Sequence, residues 1–436
     1  MSRIVVVGGG LGGVAAAARL AKQRHEVTLL EARRELGGAI GTVAQDGFAW
    51  PAGPTTTMLP AALRDLFRKS GRPLERELGA DLSPVETIRE HRFADRTSVR
   101  LPGGSRGAQA AALEELGPGL GEAWVSHVDT YAPVWDVLRR HYVENPWDAA
   151  DPPTDLRRLF AARQTLAKRL RRDFRDDRLA MIAGYLPTAE GHDLRNVPAW
   201  AGLGTYLEQC FGVWQVPGGM ARLAEVLTNR LATRRVTVLA GVLGRDLVIR
   251  DGAVAAVQTD EGAIEADAVV VAVDPRRLPA LARHVERTMP AIPPVVTRLG
   301  LTDEAPALEH DVVLHGDAMI TVRPDGTAPS GHRAWTLLGR GKLSEDMVAV
   351  LARSGLDVRD QVVTRVDQSP RELVEEWHGS PYGVLWQGRG TPRHRLGPTT
   401  PVPGVYAAGA HATPGAGVPF VVQSGALVAA AIGPAS

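Results

Sequence analysis

A single cysteine, Cys210, occurs in 436 residues. One thiol builds no disulfide framework and no cysteine-based metal site, so a reducing cytoplasm is the expected compartment. Net charge is also missing: 50 Lys and Arg stand against 49 Asp and Glu, a formal balance of +1. Without a basic field to gather it, nucleic acid is not an expected partner. The one basic run of note, Lys168 to Arg172, reads as a solvated helix face. Long apolar runs are absent as well. Val418 to Ile432 is interrupted by Gln423 and Ser424 and is too short to span a bilayer. The first strand-like segment begins almost at Met1, so no leader is expected. Peripheral membrane contact stays open for a lipid-like substrate. No Ser-His-Asp or metal-ligand spacing stands out among the 12 histidines, and no metal is expected. Hydrophobic residues at 44% and charged residues at 23% are ordinary for a globular enzyme of two or three domains.

What the chain has in quantity is glycine, 47 residues in all, and its placement near the start carries chemistry. Ile4 to Val7 is a β-branched apolar run of the kind that forms a buried parallel strand. Gly8, Gly10 and Gly13 follow in G-x-G-x-x-G spacing. Gly8 permits a tight turn, Gly10 lets the backbone approach a pyrophosphate, and Gly13 lets the next helix pack on the sheet. That helix, predicted over Leu11 to Lys22, directs free N–H groups and its dipole at the phosphates. Val27 to Leu30 reads as a second strand, closed by Glu31. A carboxylate there accepts hydrogen bonds from both ribose hydroxyls and repels a 2′-phosphate. A second glycine pair, Gly37 and Gly38, turns the expectation from a nicotinamide dinucleotide towards FAD.

Gly47 to Met58 is a Pro- and Gly-rich connection, and Pro60 to Lys69 reads as a helix. A short strand is expected around Ser98 to Leu101. Helical spacing then dominates. Val128, Tyr131, Trp135, Leu138 and Tyr142 share one face of a helix predicted over Trp124 to Tyr142, and further helices are expected near Leu156 to Leu170 and Arg175 to Tyr185. Such an aromatic stripe reads first as core, and the same lobe can wall an apolar substrate pocket. From Phe211 the texture changes. Pro217 to Ala232 is a glycine turn opening a helix. Short strands follow at Val236–Leu239, Val242–Ile249, Ala253–Gln258, Ala263–Glu265 and Ala268–Val273, with hairpin turns at Asp251–Gly252 and Glu261–Gly262. A second strand-rich stretch spans Val295 to Leu338. Helices are expected at Ser344–Ser354 and Pro370–Trp377, then a strand at Val405–Ala408 and a last helix at Val418–Ile432. Gly415 and Gly417 precede that helix, so its free N–H groups can meet the negative charge that reduced flavin gathers.

This order of pieces resembles the FAD-dependent amine oxidase superfamily and, within it, the bacterial phytoene desaturase group. The likeness runs over nearly the whole chain. It is carried by the first glycine motif with EARRELGG (Glu31 to Gly38), by GFAWPAGPT (Gly47 to Thr55) and by FGVWQVPGGMARLAEVL (Phe211 to Leu227). The hairpin run Ala240 to Asp274, GSPYG (Gly379 to Gly383) and GVYAAGAHATPGAGVPFVVQSGALVA (Gly404 to Ala429) complete it. Three positions depart from the family pattern. Ala39 stands where Arg is usual, Pro51 where Asp is common, and Thr413 where the family has a histidine, with His411 nearby instead.

The resemblance implies an α/β protein with a discontinuous Rossmann-type FAD-binding domain, residues 1–70, 211–290 and 395–436. An inserted α+β substrate-binding domain takes residues 71–210 and 291–394. Contacts to FAD are implied at Gly8, Gly10, Leu11 and Gly13, at Glu31 and Ala32, and at Gly37 and Gly38. They continue at Pro54 and Thr55, and at Gly409, Ala410, Gly417, Val418 and Pro419, with Val242 meeting adenine through its backbone. The implied activity is that of an FAD-dependent oxidoreductase, a desaturase, dehydrogenase or oxidase of secondary metabolism. It removes a hydride from a small apolar or amine-bearing metabolite, forms C=C or C=N, and passes electrons to oxygen or a quinone. His411, Trp214, Gln215 and Tyr382 are the candidate catalytic residues at the flavin face. Two alternatives accompany this reading: a flavin-dependent isomerase with no net redox, and a dinucleotide-fold binding protein without turnover.

Overall fold

Arg3–Val7 forms the first strand and pairs in parallel with Glu26–Glu31 on one side and Ala268–Val271 on the other. Thr237–Ala240 and Val405–Ala407 complete a five-stranded, all-parallel sheet. The structure is a computed structural model and describes residues 1–435. A parallel sheet is covered on both faces, so its strands are apolar at successive positions. Ile4 and Val6 accordingly enter one core, and Val5 and Val7 enter another. Helices Leu11–Lys22, Pro60–Ser70, Gly219–Thr233 and Val418–Ile432 pack on the first side. The antiparallel strands Gly244–Arg250, Ala253–Thr259 and Gly262–Glu265 cover the second. Their turns fall at Asp251–Gly252 and Asp260–Glu261, the second one residue earlier than the sequence pattern suggests.

The first and last helices touch through glycines. A Cβ on Gly12 would sit 3.3 Å from Val421 Cγ1 of the last helix and 2.6 Å from Gly409 Cα in the turn that precedes it, and one on Gly425 would sit 2.8 Å from the Ala16 nitrogen. Larger side chains would push the helices apart, so these positions set the approach of the two helices.

A seven-stranded sheet forms the other half. Its order is Val362–Gln368, Val295–Thr302, His332–Gly341, Ala318–Arg323, Asp311–Leu314, Thr87–Arg92 and Ser98–Pro102. All neighbours are antiparallel except Asp311–Leu314 with Thr87–Arg92. Side chains alternate across the pleat. Leu299, Leu301, Trp335, Leu337, Ile320, Val322 and Val312 share an apolar core with helix Met347–Arg353. The residues between them face the opposite way. The register aligns Arg298 with Thr336, Thr336 with Arg323, Arg323's neighbour Asp311 with Arg89, and so places these polar groups on one surface.

Helices between Arg106 and Phe211 form a lobe beside this sheet. The single helix predicted over Trp124 to Tyr142 is corrected to Leu120–Asp129, Ala132–Leu138 and a π-helical turn at Arg139–Val143. Pro133 is the reason: it lacks an N–H and fits only a first turn, so a new helix starts there. Leu156 to Leu170 likewise divides into Thr154–Ala161 and Leu166–Asp173. Thr165 caps the second piece by accepting from the Lys168 N–H. Arg175 to Tyr185 resolves into Asp177–Ala183 and Tyr185–Ala189. Among the described residues, no helix is long and apolar enough to cross a membrane.

Candidate functional site

A cavity of about 930 Å³ lies between the glycine turns of the parallel sheet and the polar face of the seven-stranded sheet. Its nucleotide end follows from the first βα turn. Gly8 has φ +106°, and a Cβ there would meet Val273 Cγ1 at 2.7 Å. A Cβ on Gly13 would fall 1.9 Å from the Gly8 carbonyl oxygen, so this glycine serves the packing of the helix and does not line the cavity. A Cβ on Gly10 would meet nothing within 4 Å, because that position opens onto the cavity. The second glycine pair is tied to the first turn: the Gly37 N–H donates to the Gly9 carbonyl at 2.9 Å. Glu31 accepts the Gly9 N–H on Oε2 at 2.6 Å and the Arg33 N–H on Oε1 at 2.8 Å. Each oxygen keeps lone-pair capacity for a hydroxyl donor.

Three helices begin at the cavity wall with glycine N-caps, at Gly10, Gly218 and Gly417, and none has a side-chain cap or an acidic residue in its first turn. Their unpaired N–H groups suit a ligand carrying negative charge. Leu11, Ala32, Gly38, Pro54, Thr55, Gly409, Ala410, Val418 and Pro419 line the same cavity. Val242 does too, with its N–H committed to the Glu31 carbonyl at 2.9 Å. An open floor at Gly10, uncapped helix starts and the Glu31 carboxylate together fit a flavin dinucleotide. Ala39 lies in the short 3₁₀ turn Gly38–Ile40 and contributes no charge there.

The candidate catalytic residues do not act alike. Tyr382 lines the cavity, with the Arg340 guanidinium 5.2 Å from its ring centroid. Gln215 lines it as well. Trp214 is not among the cavity-lining residues. It precedes Gln215 on the two-residue strand Trp214–Gln215, so the two side chains point to opposite faces. The Trp214 indole donates to the Phe211 carbonyl at 2.8 Å and stacks beneath Arg64. His411 reaches the wall but is held on both sides. Its Nε2–H donates to the Ser380 carbonyl at 2.9 Å, while Nδ1 faces Arg276 Nη2 at 3.5 Å and Asp274 at 3.8 Å. Burial lowers its pKa against the opposing pull of Asp274. The neutral imidazole is therefore a strut between the Gly409–Thr413 turn and the Ser380 loop.

Sequence reasoning missed the substrate-side floor. Arg89 and Glu208 form a buried ion pair, and Arg323 lies 3.6 Å from Asp311. Burial raises the Asp311 carboxyl to about 6, with Arg323 pulling the other way. Asp325 is also raised by burial, and neither of its oxygens has a hydrogen-bond partner. Beside the main cavity lies an aromatic chamber of about 140 Å³, walled by Trp135, Tyr142, Trp200, Trp386 and Phe420. Tyr382, Ala416 and Phe420 line both spaces.

Comparison with known proteins places these features in a family. The model described as flavin containing amine oxidoreductase matches residues 11–433. A 4,4'-diapolycopene oxygenase of Methylomonas sp. is 24% identical over 98% of this chain and 97% of its own length. A hydroxyneurosporene desaturase of Cereibacter sphaeroides is 28% identical over 99% and 97%. Among solved structures, wild-type putrescine oxidase bound to putrescine superposes with a TM-score of 0.67 at 19% identity, covering 99% of this chain and 98% of that one. Cyclohexylamine oxidase from Brevibacterium oxydans gives 0.68 at 15% identity, with the same coverage.

Proposed function

The chain belongs to the flavin-containing amine oxidoreductase family and is an FAD-dependent oxidoreductase; from that premise we propose that its substrate is a compact, ring-bearing molecule, dehydrogenated to C=N or C=C. The observation that carries this reading is the aromatic chamber. A space of about 140 Å³ suits one six-membered ring, since an apolar cavity of about 150 Å³ takes up benzene. It is too short for a polyene. It opens beside Ala416 and Phe420, at the start of the helix whose free N–H groups favour negative charge.

FAD, when bound, supplies the two-electron chemistry. The chain's own residues do the rest. Aromatic walls exclude water and orient the ring, and Tyr382 stands where the chamber meets the main cavity. Asp325 lies in the cavity wall as a buried carboxylate, held under the pull of Arg323 and Thr55. His411 holds the cofactor turn in place as a neutral group. Anaerobic mixing tests the proposal. Cyclic amines should bleach the visible absorbance of the oxidised flavin faster than linear amines of equal carbon number. Equal bleaching by both, or bleaching by long polyenes alone, would overturn it. Turnover only after prior reduction would favour the isomerase.

A further inference from the structure

Among the described residues, two guanidinium groups on the floor of the cavity lack a carboxylate partner, although Asp325 stands on the same floor and acts on Arg323. Four arginines rise from the polar face of the seven-stranded sheet: Arg89, Arg298, Arg323 and Arg340. Arg89 has Glu208, and Arg323 has Asp311. Among the described residues, Arg298 and Arg340 have no carboxylate within ion-pair distance, although they are only 1% and 8% exposed. Arg298 donates one bond, from Nη1 to Gln368 Oε1 at 3.1 Å, and its Nε has no partner. Arg340 donates Nε to the Ala189 carbonyl at 2.9 Å and Nη1 to the Ile292 carbonyl, and its Nη2 has none. Thr336, opposite Arg298 in the sheet register, also holds an unpartnered hydroxyl.

The acidic groups that act on them from a distance are spent elsewhere. Glu376 pairs with Arg33 and accepts from Gln368, and Glu190 lies against His192. A buried guanidinium with unmade hydrogen bonds and no counter-ion is costly to keep. In a cavity wall, that cost is relieved by a bound anion. The planar fork of a guanidinium matches a carboxylate in shape and charge.

We propose that the substrate carries a carboxylate, which Arg298 holds on the sheet floor while Arg340, farther along the neighbouring strand, adds positive charge beside Tyr382 and the substrate's ring occupies the aromatic chamber. The inference rests on the ring-bearing reading above and adds the group that fixes orientation. Tyr382 joins the two halves: it lines both spaces, and the Arg340 guanidinium lies over its ring.

Benzoate and benzamide differ in charge at nearly equal shape, and their binding to the FAD-loaded full chain can be followed by calorimetry and by the shift of the flavin visible band. At fixed ionic strength, benzoate should bind more tightly by about tenfold or more. Arg298→Gln should abolish that preference and leave benzamide within about twofold, while Arg298→Lys, which keeps the charge, should retain part of it. Equal affinity for the two probes in the unaltered protein overturns the proposal, as does an equal loss of both in Arg298→Gln. Failure here is separable from failure of the dehydrogenase reading. Bleaching by ring amines that lack a carboxylate, without a benzoate preference, removes the carboxylate and leaves the reaction. A benzoate preference with no bleaching by any ring amine keeps the anion site and removes the reaction.

Discussion

The two sheets solve opposite problems. The parallel sheet is apolar on both faces and presents its ligand with backbone: glycine turns, helix starts and one carboxylate, Glu31. The seven-stranded sheet is apolar on one face only and presents side chains from five strands, many of them charged. Backbone recognition suits a fixed cofactor, because it needs only a turn geometry and the absence of Cβ atoms. Side-chain recognition suits a substrate, because alternate strand positions can be exchanged without disturbing the core behind them.

Four substitutions break or sharpen that contrast. The largest effect is expected on the substrate side from Glu208→Ala, which strands Arg89 as a buried, unpaired charge. A loss of about 3–5 kcal/mol in unfolding free energy is expected, measured by urea denaturation. Asp311 comes next. Its folded pKa of about 6 lies above the usual carboxylate range, so the protonated form favours folding. That contribution is present below about pH 4 and is lost as pH rises through about 6, on the order of 2–3 kcal/mol for a two-unit difference. Arg323, Arg89 and Asp325 are the charges that act on this group. Melting curves of Asp311→Asn against the unaltered protein should therefore differ in slope across this window and run parallel at pH 7 and above.

On the cofactor side, Glu31→Gln keeps the shape and removes the charge that receives the Gly9 N–H and that we propose receives the ribose hydroxyls. FAD should dissociate about 10- to 100-fold more readily, since bonds to a charged group are worth about 1.5–3 kcal/mol. Fluorescence recovery on dilution reads this directly, and the unfolding free energy of the substrate-side sheet should be little changed. The smallest effect is expected from Trp214→Phe. It removes an indole hydrogen bond and most of a cation–π contact outside the cavity, at about 1 kcal/mol. kcat should stay within about twofold; a larger fall in kcat with unchanged stability would place Trp214 at the reacting centre after all.

What was legible in the sequence follows the same division. Gly8, Gly10, Gly13 and Glu31 lie within one βα unit, so local spacing carries their chemistry, and helix Val418–Ile432 ends where its glycines and apolar run say it does. The aromatic stripe was visible, but Pro133 and Thr165 were needed to divide its helices, and those cues compete with the periodicity. The floor was harder to see. Arg298-Leu-Gly-Leu and Thr336-Leu-Leu-Gly-Arg340 do alternate, which hints at one polar face. Nothing local says that Asp311, Arg323, Thr336 and Arg298 stand side by side, because that depends on a strand order that pairs residues tens of positions apart and sets Asp311 beside the far earlier Arg89. Trp214 and Gln215 could not be told apart in sequence for a simpler reason: on a strand, one residue's shift reverses the face.

The first helix packs on the last, and Val405–Ala407 is an edge strand of the sheet that Arg3–Val7 begins. During synthesis this has a consequence in time. The glycine-turn strand and its alanine-rich helix emerge about 400 residues before the partner that covers Ala15 and Ala16. At about 5–20 residues per second, the nascent chain waits tens of seconds with that surface uncovered. Contacts of such long sequence separation also close slowly. Cofactor capture is thus a late event in the life of the chain. A chain released before residue 405 should be a client of chaperones rather than a partly active flavoprotein.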